Sequence, residues 1–469
     1  MLKKISFSLI ILIIIVINLF RFWRLDQVPY GYNVDELSGA VTVACMETEG
    51  VDAHLHPHPI FSELHYGTPK PPIYTYPAAL WAKIFGAKAD SLRASTAFCN
   101  VLTILGLFFL ARLMLGNSYA LLVALLASLS PWLWGPSRVG YEATSCVTFF
   151  IWGMFFFLRS EKWPLRLLSG FLFACSIYAY APARLQVPIL LATLFIFNIK
   201  KQNLCKRQII GFFLILLIAC IPLIHGSLYG NLLERFKGVS IFNTEYLQSI
   251  GKTRNLHDIS EVFIRNYVLH FSPEYLFTIG DPSWEHSTRR FGILSWVEVL
   301  GLVSLLFFLI FRFKDIAPHR RWLIFIAANF FLSIVPASLT NSDLHISLRT
   351  ISALPFECLL SAYGLWLLYR RWEFFLPITA ILSIVFAFFF LKIYFTVYPE
   401  ESKGWFSYWT MEEALNAKTD KDWIRFMVNY KDQDYHFRYY LMHYRGESCS
   451  SSRAKWIKLR EVLGLPKAY

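Results

Sequence analysis

Long apolar runs recur along almost the whole chain, and they restrict it to architectures that can satisfy backbone polar groups in lipid. A run of about 20 apolar residues forms a helix that crosses about 30 Å of hydrocarbon, and a helix pairs its own backbone donors and acceptors there. Only 16% of the 469 residues are charged, against about a quarter in soluble domains. The pattern predicts an all-α polytopic membrane protein with about eleven spans, at residues 5–20, 94–111, 119–135, 143–158, 165–181, 186–199, 208–226, 292–311, 322–339, 350–369 and 374–396.

The distribution of basic residues predicts how these spans are oriented. With a cytoplasmic N-terminus, the inner loops contain sixteen Lys and Arg residues against three Asp and Glu, which accounts for the whole net charge of +13. This is the positive-inside pattern of membrane proteins, so the basic balance gives no support for nucleic-acid binding. We predict a multi-pass protein of the plasma membrane whose C-terminus is extracytoplasmic.

Three segments outside the spans are then extracytoplasmic: residues 21–93, residues 227–291 and the tail, 397–469. We expect one membrane domain over residues 1–396 followed by the tail. Apolar residues alternate with polar ones around Tyr435 to Tyr444, which favours a small α+β fold for the tail. The eight cysteines are scattered without a CxxC pair, which argues against a disulfide scaffold.

The first of these segments contains adjacent carboxylates, Asp35 and Glu36, just after the first span. Apolar residues at spacings of three and four over residues 35–48 predict an amphipathic helix on the membrane surface. A carboxylate in the first turn of a helix gains about 0.3–1 kcal/mol from the helix dipole. The acidic pair is therefore consistent with a simple N-terminal cap as well as with a catalytic role.

Prolines predict a second surface helix, over residues 71–86. Pro71 and Pro72 suit its first turn, where proline is tolerated. They hold Lys70 at the entrance of this helix, where its ammonium group can contact an anion.

Histidines form a possible metal-binding pattern in the same segment. His54, His56 and His58 alternate, and an extended chain would place them on one face. Pro57 and Pro59 interrupt the run, and no carboxylate is fixed beside it. We expect no required cofactor and no metal ligands, with a divalent metal as the alternative.

A series of short sequence blocks is distributed over the predicted spans and loops, from the first outer segment to the tenth span. In chain order the blocks are Asp35-Glu36, Lys70-Pro71-Pro72 with Tyr74, Phe85-Gly86 with Arg93, Ser130-Pro131-Trp132 with Ser137-Arg138 and Glu142, Tyr178 and Tyr180 with Ala183-Arg184-Leu185, Ser272-Pro273-Glu274-Tyr275-Leu276-Phe277 with Gly280-Asp281, and Pro336-Ala337-Ser338-Leu339-Thr340 with His345, Arg349 and Pro355. Together they resemble the polyprenyl-phosphate-dependent glycosyltransferases of the protein O-mannosyltransferase and aminoarabinose transferase type, in the GT-C superfamily.

The resemblance implies a transfer reaction on the extracytoplasmic face. A monosaccharide would move from a polyprenyl-phosphate donor to an acceptor hydroxyl, with inversion at the anomeric carbon. By the family pattern Asp35 is the general base, and Glu36 orients it. Lys70 corresponds to a phosphate-contacting lysine and Arg138 to an arginine of the family pattern, and Arg349 is a third candidate for the donor phosphate.

Four further residues are candidates for substrate binding: Tyr74, Glu142, His345 and Glu357. Glu357 is chosen because intramembrane carboxylates usually face a cavity or a partner. A purely structural alternative for Glu142 is an ion pair with Arg138, one helical turn away. Arginines at span ends also commonly contact lipid headgroups.

One departure from the resemblance concerns the metal. Pro69 stands where the aminoarabinose branch has a glutamate that helps to bind a metal. Two other classes of function stay open: a transporter or flippase, and a non-catalytic relative in the assembly of cell-envelope glycans. The sequence leaves the sugar open, and the acceptor can be a protein, a lipid or a polysaccharide.

Overall fold

Helices make up nearly all the regular structure in the described part of the chain. The computed structural model describes residues 2–63, 69–86, 89–159, 162–197, 206–229, 234–341, 346–417, 419–429 and 434–462. Its α-helices are α1 (Leu2–Phe20), α2 (Val34–Thr48), α3 (Pro72–Phe85), α4 (Ala89–Leu115), α5 (Asn117–Leu129), α6 (Pro131–Ser137), α7 (Glu142–Arg159), α8 (Trp163–Ala179), α9 (Ala183–Ile196), α10 (Lys206–Tyr229), α11 (Glu234–Val239), α12 (Thr244–Ser249), α13 (Leu256–Leu269), α14 (Trp296–Phe311), α15 (Phe313–Ile316), α16 (Arg320–Leu332), α17 (Val335–Ser338), α18 (Leu354–Arg371), α19 (Phe375–Thr396), α20 (Tyr398–Glu401), α21 (Tyr408–Asn416), α22 (Asp420–Asn429), α23 (Asp434–Arg445) and α24 (Cys449–Val462).

Shorter elements complete the described structure. A π-helical turn covers Glu274–Thr278, and 3-10 turns cover Ala317–His319 and Ser347–Ala353. Two strands of two residues each, β1 (Ser62–Glu63) and β2 (Pro69–Lys70), pair antiparallel.

The predicted membrane class is confirmed. Among the described residues, five helical stretches are long and apolar enough to cross a membrane, and the pair α5 and α6 forms a sixth with a 57° bend. The bend falls before Pro131, as expected where proline removes a backbone donor. Four shorter apolar helices accompany them. The count of eleven spans stays a prediction.

The chain divides into two compact units. The membrane unit comprises Met1–Arg21, Cys99–Pro136 and Ala143–Ile393, and the loop–tail unit comprises Phe22–Phe98, Ser137–Glu142 and Tyr394–Tyr469. The tail therefore joins the first outer segment in one unit instead of following residue 396 as a separate domain.

In the membrane unit, α14 and α18 lie in backbone contact. A Cβ atom on Gly364 would clash with the carbonyl oxygen of Gly301, and one on Gly301 would clash with that of Ser361, so neither glycine can gain a side chain without separating the helices. Small residues at helix interfaces in membranes permit this kind of close approach. The contact brings Glu298 of α14 and Glu357 of α18 into one buried group with Cys358.

In the loop–tail unit, the predicted apolar helix exists, and its apolar face packs against other helices of the protein. Its apolar side chains Leu37, Val41 and Cys45 are fully buried, because α2 packs against α3, α23 and α24. The second predicted helix, α3, begins at Pro72 as expected. It does expose an apolar edge of Tyr76, Leu80 and Ile84, spaced by four residues, which is typical of a helix at a membrane interface.

The described residues of the tail are helical, and they contain no strand of the predicted α+β fold. In its described residues, α20 to α24 are the only regular elements. Residues 435–441 of α23 are all buried, because α2, α21 and α24 cover this helix from several sides. Burial of consecutive residues removes the helical periodicity that identifies an exposed helix from its sequence.

The sequence argument against a disulfide scaffold missed one disulfide. Cys45 of α2 is bonded to Cys449 of α24, across 404 residues of sequence. Arg438 of α23 lies against this bond and donates from Nη1 to the carbonyl of Ala53 at 2.6 Å. Disulfides of this kind persist in oxidising compartments.

Candidate active site

The acidic pair predicted as the catalytic centre lies at the start of α2. Asn33 caps the helix by accepting from the backbone N–H of Asp35 at 2.7 Å. Glu36 reaches back and accepts from the backbone N–H of Asn33 at 3.0 Å, which completes a capping box. The spacing Asn33-x-x-Glu36 is a sequence signal that could have predicted this capping box.

Glu36 is also the anchor of a fully buried ion pair with Arg93 of α4. Arg93 donates from Nε to Glu36 Oε1 at 2.7 Å and from Nη2 to Glu36 Oε2 at 3.0 Å, and both side chains have zero exposure. The backbone N–H of Gly140 adds a fourth donor, at 3.0 Å from Oε1. Every oxygen of this carboxylate therefore accepts two hydrogen bonds from the protein.

The guanidinium of Arg93 is saturated as well. Beyond Glu36, it donates to the carbonyl oxygens of Leu25 at 2.9 Å, Pro29 at 3.2 Å and Gly31 at 2.7 Å. All five N–H donors of an arginine are thus used. The pair fixes the start of α2 to the segment before it and to α4. The sequence blocks included Arg93, but its role became visible only in the structure.

Asp35 is placed differently from its neighbour. Consecutive helical residues point about 100° apart, and Asp35 is half-buried whereas Glu36 is fully buried. Within the described residues, no side chain or backbone group donates a hydrogen bond to the Asp35 carboxylate. The structure therefore holds one carboxylate rigidly and leaves the adjacent one available to an incoming group.

Tyr74 lies beneath this site instead of facing solvent. Its side chain is 3% exposed, and its hydroxyl donates to the carbonyl of Gly140. Gly140 thus links Tyr74 to Glu36, because its N–H donates to the carboxylate and its carbonyl accepts from the tyrosine. The structure thus gives Tyr74 a supporting contact, and its predicted role in substrate binding stays a prediction.

Lys70 lies at the entrance of α3, as predicted. Its backbone belongs to β2 and is opposite Ser62 of β1 in the register. Pro71 then caps α3 in an extended conformation. The side chain of Lys70 lies outside the described part of the structure, so its role as a phosphate ligand stays a prediction.

Arg138 is fully buried and binds backbone carbonyls. Its Nη2 donates to the carbonyl oxygens of Trp23 at 2.8 Å and Val28 at 3.1 Å, and its guanidinium carbon lies 5.0 Å from the ring of Phe395. Burial lowers the pKa of Arg138, and the neighbouring Tyr394 hydroxyl only partly offsets this. A phosphate could reach Arg138 only if these contacts opened. Glu142 begins α7 and is half-buried.

Two further predicted residues, Arg349 and Glu357, lie in the membrane unit. Arg349 is half-buried and donates from Nη1 to Thr340 Oγ1 at 2.6 Å. Glu357 is 2% exposed, and Ser361 donates to one of its oxygens. His345 lies outside the described residues.

A buried ion pair in the membrane unit was missed from the sequence. Asp281 and His286 lie 3.3 Å apart between Oδ2 and Nδ1. Burial alone would lower the pKa of His286, but the Asp281 carboxylate outweighs it and the pKa is raised. Burial likewise tends to raise the pKa of Asp281, yet the charge of His286 keeps it below its usual value. Only Asp281 stood in a recognised sequence block.

The histidine segment is organised around a carboxylate that is already occupied. Asp52 accepts from the backbone N–H groups of His54 at 2.8 Å and His56 at 2.9 Å, and its second oxygen lies 3.3 Å from His56 Nδ1. Among the described residues, the side-chain groups spaced to hold a metal are His257 with Asp258 and Glu261, and Glu298 with Glu357 and Cys358. Neither group includes Asp35, so the described residues around this carboxylate do not form a metal-ligand set.

Comparisons with known proteins define the class to which this fold belongs. The oligosaccharyltransferase of Archaeoglobus fulgidus, solved in complex with zinc and sulfate, matches with a TM-score of 0.50 at 14% identity, over 90% of this chain and 57% of that chain. The same archaeal enzyme tethered to an acceptor peptide also gives 0.50 at 14% identity, over 91% and 59%. ArnT from Cupriavidus metallidurans in the apo state gives 0.50 at 10% identity, over 96% of this chain and 72% of that chain.

These likenesses confirm the predicted GT-C fold of a polytopic membrane protein. Within that class, residues 69–225, about a third of the chain, match the family model described as dolichyl-phosphate-mannose-protein mannosyltransferase. The resemblance predicted from the sequence is thereby confirmed. The chain spans less than two thirds of the archaeal oligosaccharyltransferase, and no curated protein matches it in sequence.

Proposed function

We propose that this protein is an inverting membrane glycosyltransferase that uses a polyprenyl-phosphate monosaccharide. The observation that carries the proposal is the contrast at the start of α2, where Glu36 is saturated and the adjacent Asp35 is half-exposed with no described donor. This gives a fixed helix terminus that presents one available carboxylate. The match of residues 69–225 to the mannosyltransferase family supports the choice of reaction.

In the proposed reaction, Asp35 removes the proton of an acceptor hydroxyl as that oxygen attacks the anomeric carbon of the donor. The bond from this carbon to the phosphate oxygen breaks on the opposite face, so the configuration inverts and polyprenyl phosphate leaves as an anion. A positioned general base contributes about 10²–10⁴-fold to such a step. The ammonium of Lys70 would stabilise the leaving phosphate, since fixed cations stabilise charge that develops in a transition state.

Glu36 and Arg93 act as positioning residues in this scheme. Their saturated contacts leave no acceptor or donor for a substrate, but they fix the backbone that carries Asp35. The proposed partners are a polyprenyl-phosphate sugar and a hydroxyl acceptor on a protein, lipid or polysaccharide. No step is assigned to a metal.

The test is transfer of radiolabelled sugar from a panel of synthetic polyprenyl-phosphate monosaccharides, in membranes containing equal amounts of each variant. We expect Asp35→Asn to lower transfer by about 10²-fold or more without lowering the melting temperature. Glu47→Gln is the matched control, since this glutamate lies on the same helix away from the cap. Retained transfer in Asp35→Asn would remove this residue as the base.

A specific observation also favours a transporter. Glu298 and Glu357 place two carboxyl groups together among spanning helices, and buried carboxyls of this kind mark proton and ion pathways. If Glu357→Gln abolishes the movement of a labelled lipid-linked sugar across vesicles while Asp35→Asn does not, transport is the primary activity. The opposite pattern assigns the chain to sugar transfer.

A further inference from the structure

A groove in the membrane unit lies between the C-terminal ends of α4 and α7. Arg93 and Glu142 lie at the opposite, N-terminal ends of these two helices. It encloses about 420 Å³, within the range of about 300–1,000 Å³ that is typical of ligand sites. The lining residues are Phe109, Arg112, Leu113, Trp152, Phe155 and Arg159.

The walls of this groove are fixed. Trp152 donates from its indole nitrogen to the carbonyl of Leu102 at 3.0 Å. Gly106 allows the indole to lie against α4, because a Cβ there would come within 3.1 Å of its nitrogen. Thr103 and Thr148 join the same two helices through a 2.7 Å hydrogen bond. The groove is therefore part of the packed structure.

Its charge is positive on both sides. Arg112 and Arg159 are exposed side chains in the last turns of α4 and α7. In the described part of the chain, no carboxylate lines the groove and neither guanidinium forms an ion pair. Arg159 lies 6.0 Å from the ring of Phe155, so an apolar surface adjoins the charge.

We propose that this groove binds the headgroup of an anionic phospholipid. Two guanidiniums suit a phosphodiester, because arginine donates paired N–H groups to phosphate oxygens. The aromatic and aliphatic walls suit the first part of an acyl chain. Leu113, for example, is 39% exposed and offers an apolar surface to such a chain. The positive-inside pattern assigns these helix ends to the cytoplasmic leaflet, where basic pockets between spanning helices bind anionic lipids.

An alternative explanation is that each arginine only complements the dipole at its own helix end. Arg370 and Arg371 provide the matched control, since they also occupy the last turn of a membrane helix, α18. Their guanidiniums lie 4.6 Å and 5.5 Å from the rings of Trp366 and Trp372. Neither of them lines the groove.

The experiment is native mass spectrometry of the full-length protein in detergent, titrated with cardiolipin, phosphatidylglycerol or phosphatidylcholine. We expect wild type to retain one anionic lipid in preference to phosphatidylcholine. The Arg112→Gln/Arg159→Gln double variant should bind it roughly thirtyfold more weakly, because each basic side chain near an anionic lipid contributes about fivefold. The Arg370→Gln/Arg371→Gln variant should bind like wild type.

Three results would overturn the assignment. Equal losses in both double variants would show that general surface charge, and not the groove, attracts the lipid. Equal retention of all three lipids by wild type would show no headgroup selection. Displacement of cardiolipin by millimolar inorganic phosphate would identify a free-phosphate site instead. Size-exclusion profiles and melting temperatures confirm that the exposed substitutions leave the fold intact.

Discussion

The two units bury glutamates in opposite ways. In the loop–tail unit, Glu36 receives four hydrogen bonds, two of them from the cation Arg93. In the membrane unit, Glu298 and Glu357 face each other, and no described cation pairs with either. Serines and a cysteine supply the contacts there: Ser295 donates to Glu298, Ser361 donates to Glu357, and Cys358 lies beside both.

The difference shows two uses of the same side chain. A buried carboxylate whose charge and hydrogen bonds are fully compensated has a structural role. Loss of its cationic partner destabilises the fold, because the carboxylate is then left buried and unpaired. In a pair of facing carboxyl groups, the oxygen atoms of one group lie opposite the oxygen atoms of the other. A proton or a cation that binds between them can change the contact. Sequence reasoning assigned a catalytic role to Glu36 and a substrate-binding role to Glu357, and it did not single out Glu298.

The largest expected effect comes from breaking the compensated pair. Arg93→Gln leaves the Glu36 carboxylate buried without its cation, which typically costs about 3–5 kcal/mol of folding stability. We expect a large drop in melting temperature in detergent, measured by fluorescence-detected size exclusion. The double variant Glu36→Gln/Arg93→Gln should recover much of this loss, because it removes the uncompensated charge. A near-wild-type melting temperature for Arg93→Gln alone would contradict our account of the pair.

A smaller effect on folding stability is expected from the buried pair of Asp281 and His286, because both side chains titrate. Because the pKa of His286 is raised in the folded protein, this side chain contributes fully to folding stability below about pH 6.5, the ordinary pKa of histidine. This contribution is lost as the pH rises through the pKa that His286 has in the folded protein. Neighbouring Glu285 adds to the rise in this pKa, and Arg349 opposes it. The lowered pKa of Asp281 means that its contribution is lost only as the pH falls below its ordinary range.

Melting curves between pH 6 and pH 9 test this pair. Stability should fall across this range in wild type and fall less in His286→Gln. Arg93 should contribute nothing to the slope, since arginine keeps its charge throughout. An unchanged slope in His286→Gln would show that other groups control the pH dependence.

The smallest expected effect sharpens the contrast between the two buried glutamates. Glu357→Gln replaces a facing acceptor with an amide N–H that can donate to Glu298, so we expect a change within about 1 kcal/mol, as for a single neutral hydrogen bond. Glu36→Gln should cost more, because it removes the negative charge that compensates buried Arg93. The same melting assay compares the two isosteric changes directly, and equal losses would contradict the difference between the sites.

Local signals in the sequence were sufficient for the elements that carry the candidate site. Periodicity predicted α2 over residues 35–48, and the structure has Val34–Thr48. Prolines predicted the start of α3, and the blocks around Asp35 and Lys70 indicated the family that residues 69–225 match. These predictions succeeded because caps, prolines and apolar spacing act within a few residues of where they stand.

The partners of these residues could not be predicted in the same way. Arg93 is 57 residues from Glu36, Gly140 is 104 residues away, and Cys449 is 404 residues from Cys45. No local pattern encodes such distances. The tail was assigned strands for a related reason, because burial from several sides hid the periodicity of α23.

By itself the sequence determined the membrane class, the order of the helices and the family resemblance, since apolar length, charge bias and caps are properties of short segments. Only the tertiary structure decided which carboxylate is available and which is fixed. Asp35 and Glu36 are adjacent in the same turn and chemically alike. They differ because the surrounding chain delivers a guanidinium and two backbone N–H groups to one of them, while no described group donates to the other.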